Sequence, residues 1–453
     1  MNKKSMIRFT SITLVLAAVV LGAYYGDRYY MDERIFPGYY IGKAYVGGLT
    51  RQEAVAKVST FEADRIIAKL PALIFEEKTR LTRYEYRPSQ AGAVLMPEES
   101  VDRAISLSHG QGYLGRFTGL GKKNKHISPI LRVADESLLR ALVNQVASYI
   151  DCDPVDAAFE VSWQEKSGYR ISLVPQKTGK HIRKDETQLL LKNSLEQGAL
   201  ESVLIIDIKQ PKITEEMLKS IPDPRVIGSY TTYYGTHDSS NRISNIYLVS
   251  SFVNNTYLAT DETFSLLPLI GDFTRERGFK EAYVIIGDEL VPEYGGGTCQ
   301  IATTLYNSVM MADLEVLSRR NHGMYFSIYP LGRDATVYPP ATDFRFKNNT
   351  GFPVVIQAHP FKKGLTFRII GNYTGKTVSF SPAAVRYRYK IVTTQDAFSD
   401  TPEEKIVQTP AFWTTVVKTV KKDGKIISTN TIKSFYRLHG DKNKVKIRRR
   451  EPR

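Results

Sequence analysis

Cysteine is nearly missing from this chain: 453 residues contain two, Cys152 and Cys299. They fall in what read as different domains, so no disulfide framework organises the fold. Histidine is almost as sparse, at seven residues. No tight pair of the His-x-x-x-His kind occurs, which makes a metal site the weaker reading of any histidine here. Long uncharged apolar runs are missing as well, save one near the start. What remains is the composition of ordinary globular protein, 42% hydrophobic and 24% charged, which a disordered chain would not have. The length allows two or three domains and a sizeable core.

The single apolar run covers residues 9–25, in "MNKKSMIRFTSITLVLAAVVLGAYYGDRYY". It has about the minimum length for crossing a bilayer. Lys3, Lys4 and Arg8 precede it, which would keep residues 1–8 in the cytoplasm and the bulk of the chain outside. The expectation is a single-pass transmembrane helix in the cell membrane. A cleaved signal peptide is the rival, with small residues ending at Ala23 but Leu21 fitting poorly. The formal charge is +15, and the tail "GDKNKVKIRRREPR" has seven basic residues against two acidic. Outside a membrane, anionic lipid or an anionic wall polymer is the natural counter-surface. A solvated tail is the plain alternative. Nucleic acid is set aside as a partner, since it would call for a cytoplasmic bulk.

An internal repeat follows. The first unit opens with a helix after "VGGLT", where Thr50 and Glu53 form a capping box. The second opens after Asp135, a good N-cap, with Leu138, Leu142, Val146 and Ile150 as its buried stripe. Strand-like runs "RYEYRP" and "YRISLVP" come next, then Pro88 to Gly92 and Pro175 to Gly179 at matching spacing. Second helices stop at Gly110 and Gly198. Between the units, "SHGQGYLGRFTGLGKKNKHIS" has five glycines, four basic residues and no acid, and reads as a loop. "IFPGYYIGKAYVGGLTRQEA", "DPVDAAFEV" and "LVPQKTGKHI" resemble the peptidoglycan-binding module that precedes the catalytic domain of some L,D-transpeptidases. The resemblance spans about residues 36–212, as modules at 36–112 and 132–212 with the loop at 113–131.

A new domain begins near Pro222. "GGGTCQIATTLYN", "PLGRDATV" and "DFRFKNNTGFPVVI" resemble the VanW family, named for an accessory protein of vancomycin-resistance clusters, over residues 222–375. That resemblance supplies no settled reaction. The chain departs from the family pattern in three places: "TDETFSLLP" lacks the Pro-Gly before its Phe-Ser pair, Arg320 replaces a second histidine, and Asp313 replaces a glycine at a helix end. Asp tolerates a left-handed cap.

Glycines 295–297 allow unusual backbone angles and close approach. Cys299 then enters the first turn of a helix, where unpaired N–H groups and the dipole favour a thiolate. At about 100° per residue, Cys299, Thr303, Tyr306 and Met310 share one face, as a cleft wall would. Ile301, Leu305, Val309 and Ala312 share the inward one. A nucleophile needs a base with an orienting partner. His322 is the histidine available, leading a strand "GMYFSIY". A four-residue turn "PLGR" that pairs Tyr329 with Asp334 would set His322 opposite Ala341, with Asp343 as diagonal partner. Asp334 is the other candidate, favoured as a structural or substrate-contact residue. Gln300 and Asn307 read as oxyanion or substrate donors or as local caps. Gly296, Gly297, Thr303, Tyr306 and Arg333 complete the candidate substrate-binding set. The order Cys, His, Asp resembles papain-like and transglutaminase-like enzymes, by analogy alone. Cys299 as a buried structural residue, or as a ligand, remains the alternative.

The end of the chain, residues 376–440, alternates with period two, and Lys422-Asp423-Gly424-Lys425 signals a hairpin. It reads as a β extension without chemistry, followed by a basic tail at 441–453. The fold class expected is α+β: an N-terminal transmembrane helix, two repeated α+β modules, a mixed VanW-like domain and the β extension. The function expected is a cell-envelope protein that engages peptidoglycan. It would be either a cysteine-dependent amide hydrolase or acyl transferase on stem peptides, or a non-catalytic wall-binding scaffold. No cofactor or metal is implied, and the oligomeric state is left open.

Overall fold

The computed structural model describes the chain except for residues 1–2, 68, 70, 78–79, 111–123, 166–167, 200, 287–288, 395–402, 438–445 and 448–453. Of 3–12, 75–77, 80–81, 285–286, 289–290, 388–394, 403–410 and 446–447 only the backbone is described. Most of the glycine-rich loop and of the basic tail therefore lies outside the described residues. The chain divides into two compact units, one of Met1–Val155 with Lys177–Pro211, the other of Asp156–Gln176 with Lys212–Arg453. The stretch 132–212 is thus shared: its hairpin Ala158–Gln164 and Gly168–Val174 belongs to the second unit.

In the first unit, residues 9–25 lie within a helix, Lys3–Met31. The membrane anchor is nonetheless unsupported: among the described residues no helix is long and apolar enough to cross a membrane. Within the helix whose side chains are described, from Thr13 on, the apolar stretch is short and passes into Tyr24, Tyr25, Asp27, Arg28, Tyr29 and Tyr30. Thr50 and Glu53 do close a capping box on helix Arg51–Val58, and Asp135 caps Glu136–Ile150. The buried stripe of that helix is Leu139, Leu142, Val143, Val146, Ala147 and Ile150, while Leu138 is 43% exposed. The matched Pro-to-Gly spacings diverge in structure. Pro88–Ala91 is a 3-10 turn ended by left-handed Gly92. Gly179 instead begins a strand against Pro154, with no room for a Cβ. Nor do the halves stand as separate beads. Tyr39–Ile41 pairs in parallel with Lys125–Ile127, so the end of the expected loop is a strand. Glu201–Val203 pairs with Ala72–Ile74.

The second unit is built on an antiparallel sheet in the order Pro224–Tyr233, Gly364–Asn372, Val354–Phe361, Thr256–Leu258. Both faces are covered, which is why "VVIQA" reads as apolar rather than alternating. Val354 and Ile356 join the core beneath the helices Ser240–Val253 and Thr298–Met311. Val355 and Ile370 face the other way, onto Phe159, Leu218 and Ile221. Helix Thr298–Met311, the cysteine helix, presses on the sheet at Gly228. A Cβ there would stand 2.3 Å from the Ser308 carbonyl oxygen. Hydroxyls complete the contact: Thr232 meets Thr304 at 2.7 Å, and Ser308 donates to the Phe367 carbonyl at 3.0 Å. Asp313 ends the helix at φ 57° and holds Lys376 and Lys418, each at 2.7 Å. A last sheet centres on the long strand Glu403–Lys422, joined to Lys425–Arg437 by the turn at Asp423 and Gly424, both at positive φ. That is the hairpin expected.

Candidate active site

The run "EYGGGTC" carries the chain from strand Glu289–Tyr294 into the cysteine helix with no spare space. Gly295 and Gly297 have φ of 89° and 107°, closed to ordinary side chains. A Cβ on Gly295 would collide with the Phe273 ring at 2.4 Å, and one on Gly297 would meet Ile246 at 2.9 Å. Cys299 follows as the second helical residue, between Thr298 and Gln300, whose N–H groups go to the carbonyls of Gly295 and Gly297.

The helix is buried all round rather than amphipathic. Thr298 and every residue from Gln300 to Met310 are buried, and Cys299 alone in that run is partly exposed. One face packs on the sheet, the other on the chain at 333–337. Thr303 therefore binds both the carbonyl and the N–H of Ala335, at 2.8 and 3.0 Å. Asn307 donates to the Arg333 carbonyl at 2.8 Å. Gln300 turns away, to Thr232 and the Tyr233 carbonyl at 2.9 and 3.1 Å. Tyr306 lies buried beneath the Arg319 guanidinium. Arg333 stacks over Phe380 at 4.3 Å. Gly296 gives its carbonyl to Asn245. Of the expected substrate-binding set, Gly297 alone lines the cleft at Cys299. The others build the wall behind it.

Segment "GMYFSIY" is not a strand but an irregular loop. Arg320 bridges Thr336 in antiparallel fashion, and two steps along that register His322 faces Asp334. The four-residue turn was too short, so the pairing of Tyr329 with Asp334 does not form and Ala341 is not opposite His322. His322 Nδ1 lies 2.6 Å from Asp334 Oδ2, which also accepts the His322 backbone N–H at 2.7 Å. Asp343 is elsewhere employed. It accepts from the Ser265 hydroxyl and from the N–H groups of Leu266 and Leu267, and so caps a short helix.

His322 and Cys299 line the same cleft, and the imidazole, with Nδ1 on Asp334, is near enough to act on the ionisation of the thiol. Cys299 Sγ is also 3.1 Å from the Thr336 hydroxyl and 3.6 Å from the Val337 carbonyl. Burial alone would push the thiol up, but the hydrogen bond and charge of His322 outweigh it and bring it to about 7. Burial would likewise lower His322, yet Asp334 and Cys299 together raise it to about 9. Asp334 stays below the usual carboxylate range despite its burial, held by His322 and Tyr436. Both directions favour a thiolate–imidazolium pair, with the ring oriented by the buried carboxylate of Asp334. The His322 ring is fixed by stacking on Tyr329, at 5.4 Å, and by the edge of Phe326.

The sulfur opens on a cleft of about 870 Å³. Tyr283, Tyr294, Ile328 and Tyr338 give it apolar walls, and an Arg242–Asp238 pair at 2.6 Å gives it charge. Sequence reasoning missed these residues, Thr336 and Tyr436. The "DAT" after "PLGR" is the signal that could have found Thr336, since it alternates with Asp334. Among the described residues no group of three or more His, Cys, Asp or Glu is placed to hold a metal.

Residues 241–370 match the family described as "VanW like protein", and residues 84–202 match "Putative peptidoglycan binding domain". The uncharacterized protein YoaR of Bacillus subtilis (strain 168) is 38% identical over 148 residues, covering 33% of this chain and 48% of that protein. The chain therefore spans about half the length of this curated relative. No solved structure matches. The chain thus carries a VanW-like domain that includes Cys299, His322 and Asp334, and a peptidoglycan-binding-like domain before it.

Proposed function

We propose that this chain is a cell-wall-associated, extracytoplasmic protein whose VanW-like domain is a cysteine-dependent amide hydrolase or acyl transferase on peptidoglycan stem peptides. The observation that carries the reading is that Cys299 and His322 line one open cleft, with His322 held by the buried carboxylate of Asp334. A structural cysteine in a tight turn needs neither a histidine partner nor a cleft. The peptidoglycan-binding-like domain supplies the substrate class.

In this mechanism the Cys299 thiolate attacks the amide carbonyl carbon, and the C=O electron pair moves onto oxygen. The first turn of the helix, with the Cys299 N–H, would supply the donor for the developing oxyanion. Collapse breaks the C–N bond, and the leaving amine takes the proton from imidazolium His322. A thioester and neutral His322 remain. Water or an incoming amine then attacks the thioester while His322 accepts its proton, and Cys299 leaves as thiolate. Asp334 holds the ring throughout and stabilises its charged form.

The test is incubation of the purified chain with stem-peptide fragments of peptidoglycan, followed by mass spectrometry. Cleaved or exchanged peptide, or a thioester adduct, each lost in Cys299→Ala, supports the enzyme. Fragments left intact by both proteins, and bound equally by both, would instead establish a non-catalytic wall-binding scaffold.

A further inference from the structure

The VanW match ends at residue 370, yet the reacting groups are not complete there. Four consecutive residues of the last long strand, Ser434 to Arg437, reach the irregular loop that carries His322 and Asp334. The Tyr436 hydroxyl donates to Asp334 Oδ1 at 2.5 Å and accepts the Gly332 N–H at 3.1 Å. The Ser434 hydroxyl donates to the Gly332 carbonyl at 3.1 Å and lies 2.9 Å from Arg319 Nη1. Arg319 in turn approaches Asp334 Oδ1 at 3.3 Å and binds the Asp334 carbonyl at 2.6 Å. On the other side of His322, Asn321 donates to the Phe435 carbonyl at 2.7 Å, and the Arg437 N–H donates to the Gly323 carbonyl at 2.8 Å. A separate observation ties the same loop to the same sheet. Gly332 has φ 80°, and a Cβ there would meet Thr414 Oγ1 at 2.9 Å and Val416 Cγ2 at 3.0 Å.

We propose that the C-terminal sheet is part of the reaction centre, with Tyr436 as a positioning residue that makes the line Cys299–His322–Asp334 a four-membered one. The inference rests on the cysteine-nucleophile reading above. Asp334 has two oxygens. Oδ2 serves His322 twice, so the carboxylate keeps that orientation only while Oδ1 is anchored. Tyr436 is the short anchor, Arg319 the long one. Tyr436 is fully buried and its own ionisation is pushed up by burial and by Asp334, so its hydroxyl stays a donor. Without it Oδ1 turns to find another partner, the hold on Nδ1 loosens, and imidazolium His322 is less stable. The Cys299 thiol then titrates higher, back toward an ordinary thiol.

The experiment measures alkylation of Cys299 by iodoacetamide against pH in the full chain, with cleavage sites mapped by mass spectrometry, and needs no substrate. Tyr436→Phe keeps the ring and removes the hydroxyl. The expected result is a rise of the Cys299 midpoint by about one pH unit, a tenfold slower labelling below pH 7. Ser434→Ala, which loosens Arg319 and the Gly332 carbonyl but leaves the Tyr436 hydroxyl on Asp334, is expected to move it less in the same direction. Val420→Ala, on the neighbouring strand of the same sheet and paired with Ser428 rather than Tyr436, is the destabilised control: it lowers the melting temperature and leaves the midpoint alone. An unchanged midpoint in folded Tyr436→Phe overturns the inference, as does an equal shift in Val420→Ala. A wild-type midpoint near that of an ordinary thiol would sink the nucleophile reading itself, so the two failures are distinct.

Discussion

Two stretches of this chain present a cysteine, and they share almost nothing else. At Cys152 the thiol is exposed, beside a two-residue bridge to Lys180, with the Thr178 carbonyl at 3.9 Å as its contact. The nearby His181 is turned to Asp153. At Cys299 the thiol sits in the first turn of a buried helix, half covered, with an oriented histidine and a hydroxyl around it. Exposure would make Cys152 the easier thiol to reach. Charge favours the thiolate at Cys299, and the thiolate is the reacting species. Reactivity is therefore expected to follow the surroundings of the sulfur rather than its accessibility.

The two cysteines part most clearly on substitution. Cys299→Ala is expected to reduce stem-peptide turnover to background, a loss of about 10⁴-fold or more where a nucleophile is removed. Cys152→Ala is expected to leave turnover unchanged. A chain that still cleaves without Cys299 would end the argument. A step smaller, Asp334→Asn keeps the shape of the side chain but removes the charge that sustains imidazolium. It is expected to slow turnover by about 10²–10⁴-fold, the range for disabling a general acid–base group, measured as kcat with the melting temperature followed in parallel.

Much of this site could be read from the chain, and the part that could not has a definite cause. The motif "GGGTC" announced close approach and a helix start, and both are present. His322 was found by scarcity. The partner carboxylate stays open in the sequence between Asp343 and Asp334, because hairpin register depends on loop length. A loop taken as four residues shifts the register and puts Asp343 ahead of Asp334. The helix face was misjudged for another reason: threonine, serine and asparagine look solvated in a sequence, but here they bond strand Gly364–Asn372 and the loop behind the helix. Tyr436 lies about a hundred positions beyond Asp334 in a region that alternates like any β hairpin, so no local pattern marks it. In the first unit the capping box and Asp135 were legible because caps are local. The pairing of Tyr39–Ile41 with Lys125–Ile127 was not, because it joins distant segments.

The two thiols are also expected to separate with pH. Cys299 is lowered to about 7 and His322 raised to about 9. Below 7 the thiolate is protonated, and above 9 the imidazolium that must protonate the leaving amine is lost. Turnover is therefore expected to be bell-shaped with limbs near those values, falling about tenfold per unit outside them. Alkylation needs the thiolate alone, so labelling of Cys299 should rise through about pH 7 and then hold level. At pH 7 an iodoacetamide pulse should mark Cys299 ahead of the more exposed Cys152. Cys152 labelling first would mean that exposure, not charge, decides.

The smallest effect belongs to Asp343, the carboxylate that resembles a partner in sequence and is none in structure. It accepts the N–H groups of Leu266 and Leu267 at 3.2 and 3.0 Å and the Ser265 hydroxyl at 2.5 Å. That is the work of an N-terminal cap for helix Leu266–Ile270. Its worth is about 0.5–2 kcal/mol of stability for complete removal of such a cap. Asp343→Asn keeps one acceptor oxygen, and so is expected to cost about 1 kcal/mol or less, read as a small fall in melting temperature. Turnover and the midpoint of Cys299 labelling should both match the unaltered chain. Asp334→Asn should move both. A matching shift in the two variants would mean that His322 senses charge at a distance rather than the contact at Nδ1, and the distinction between these carboxylates would dissolve.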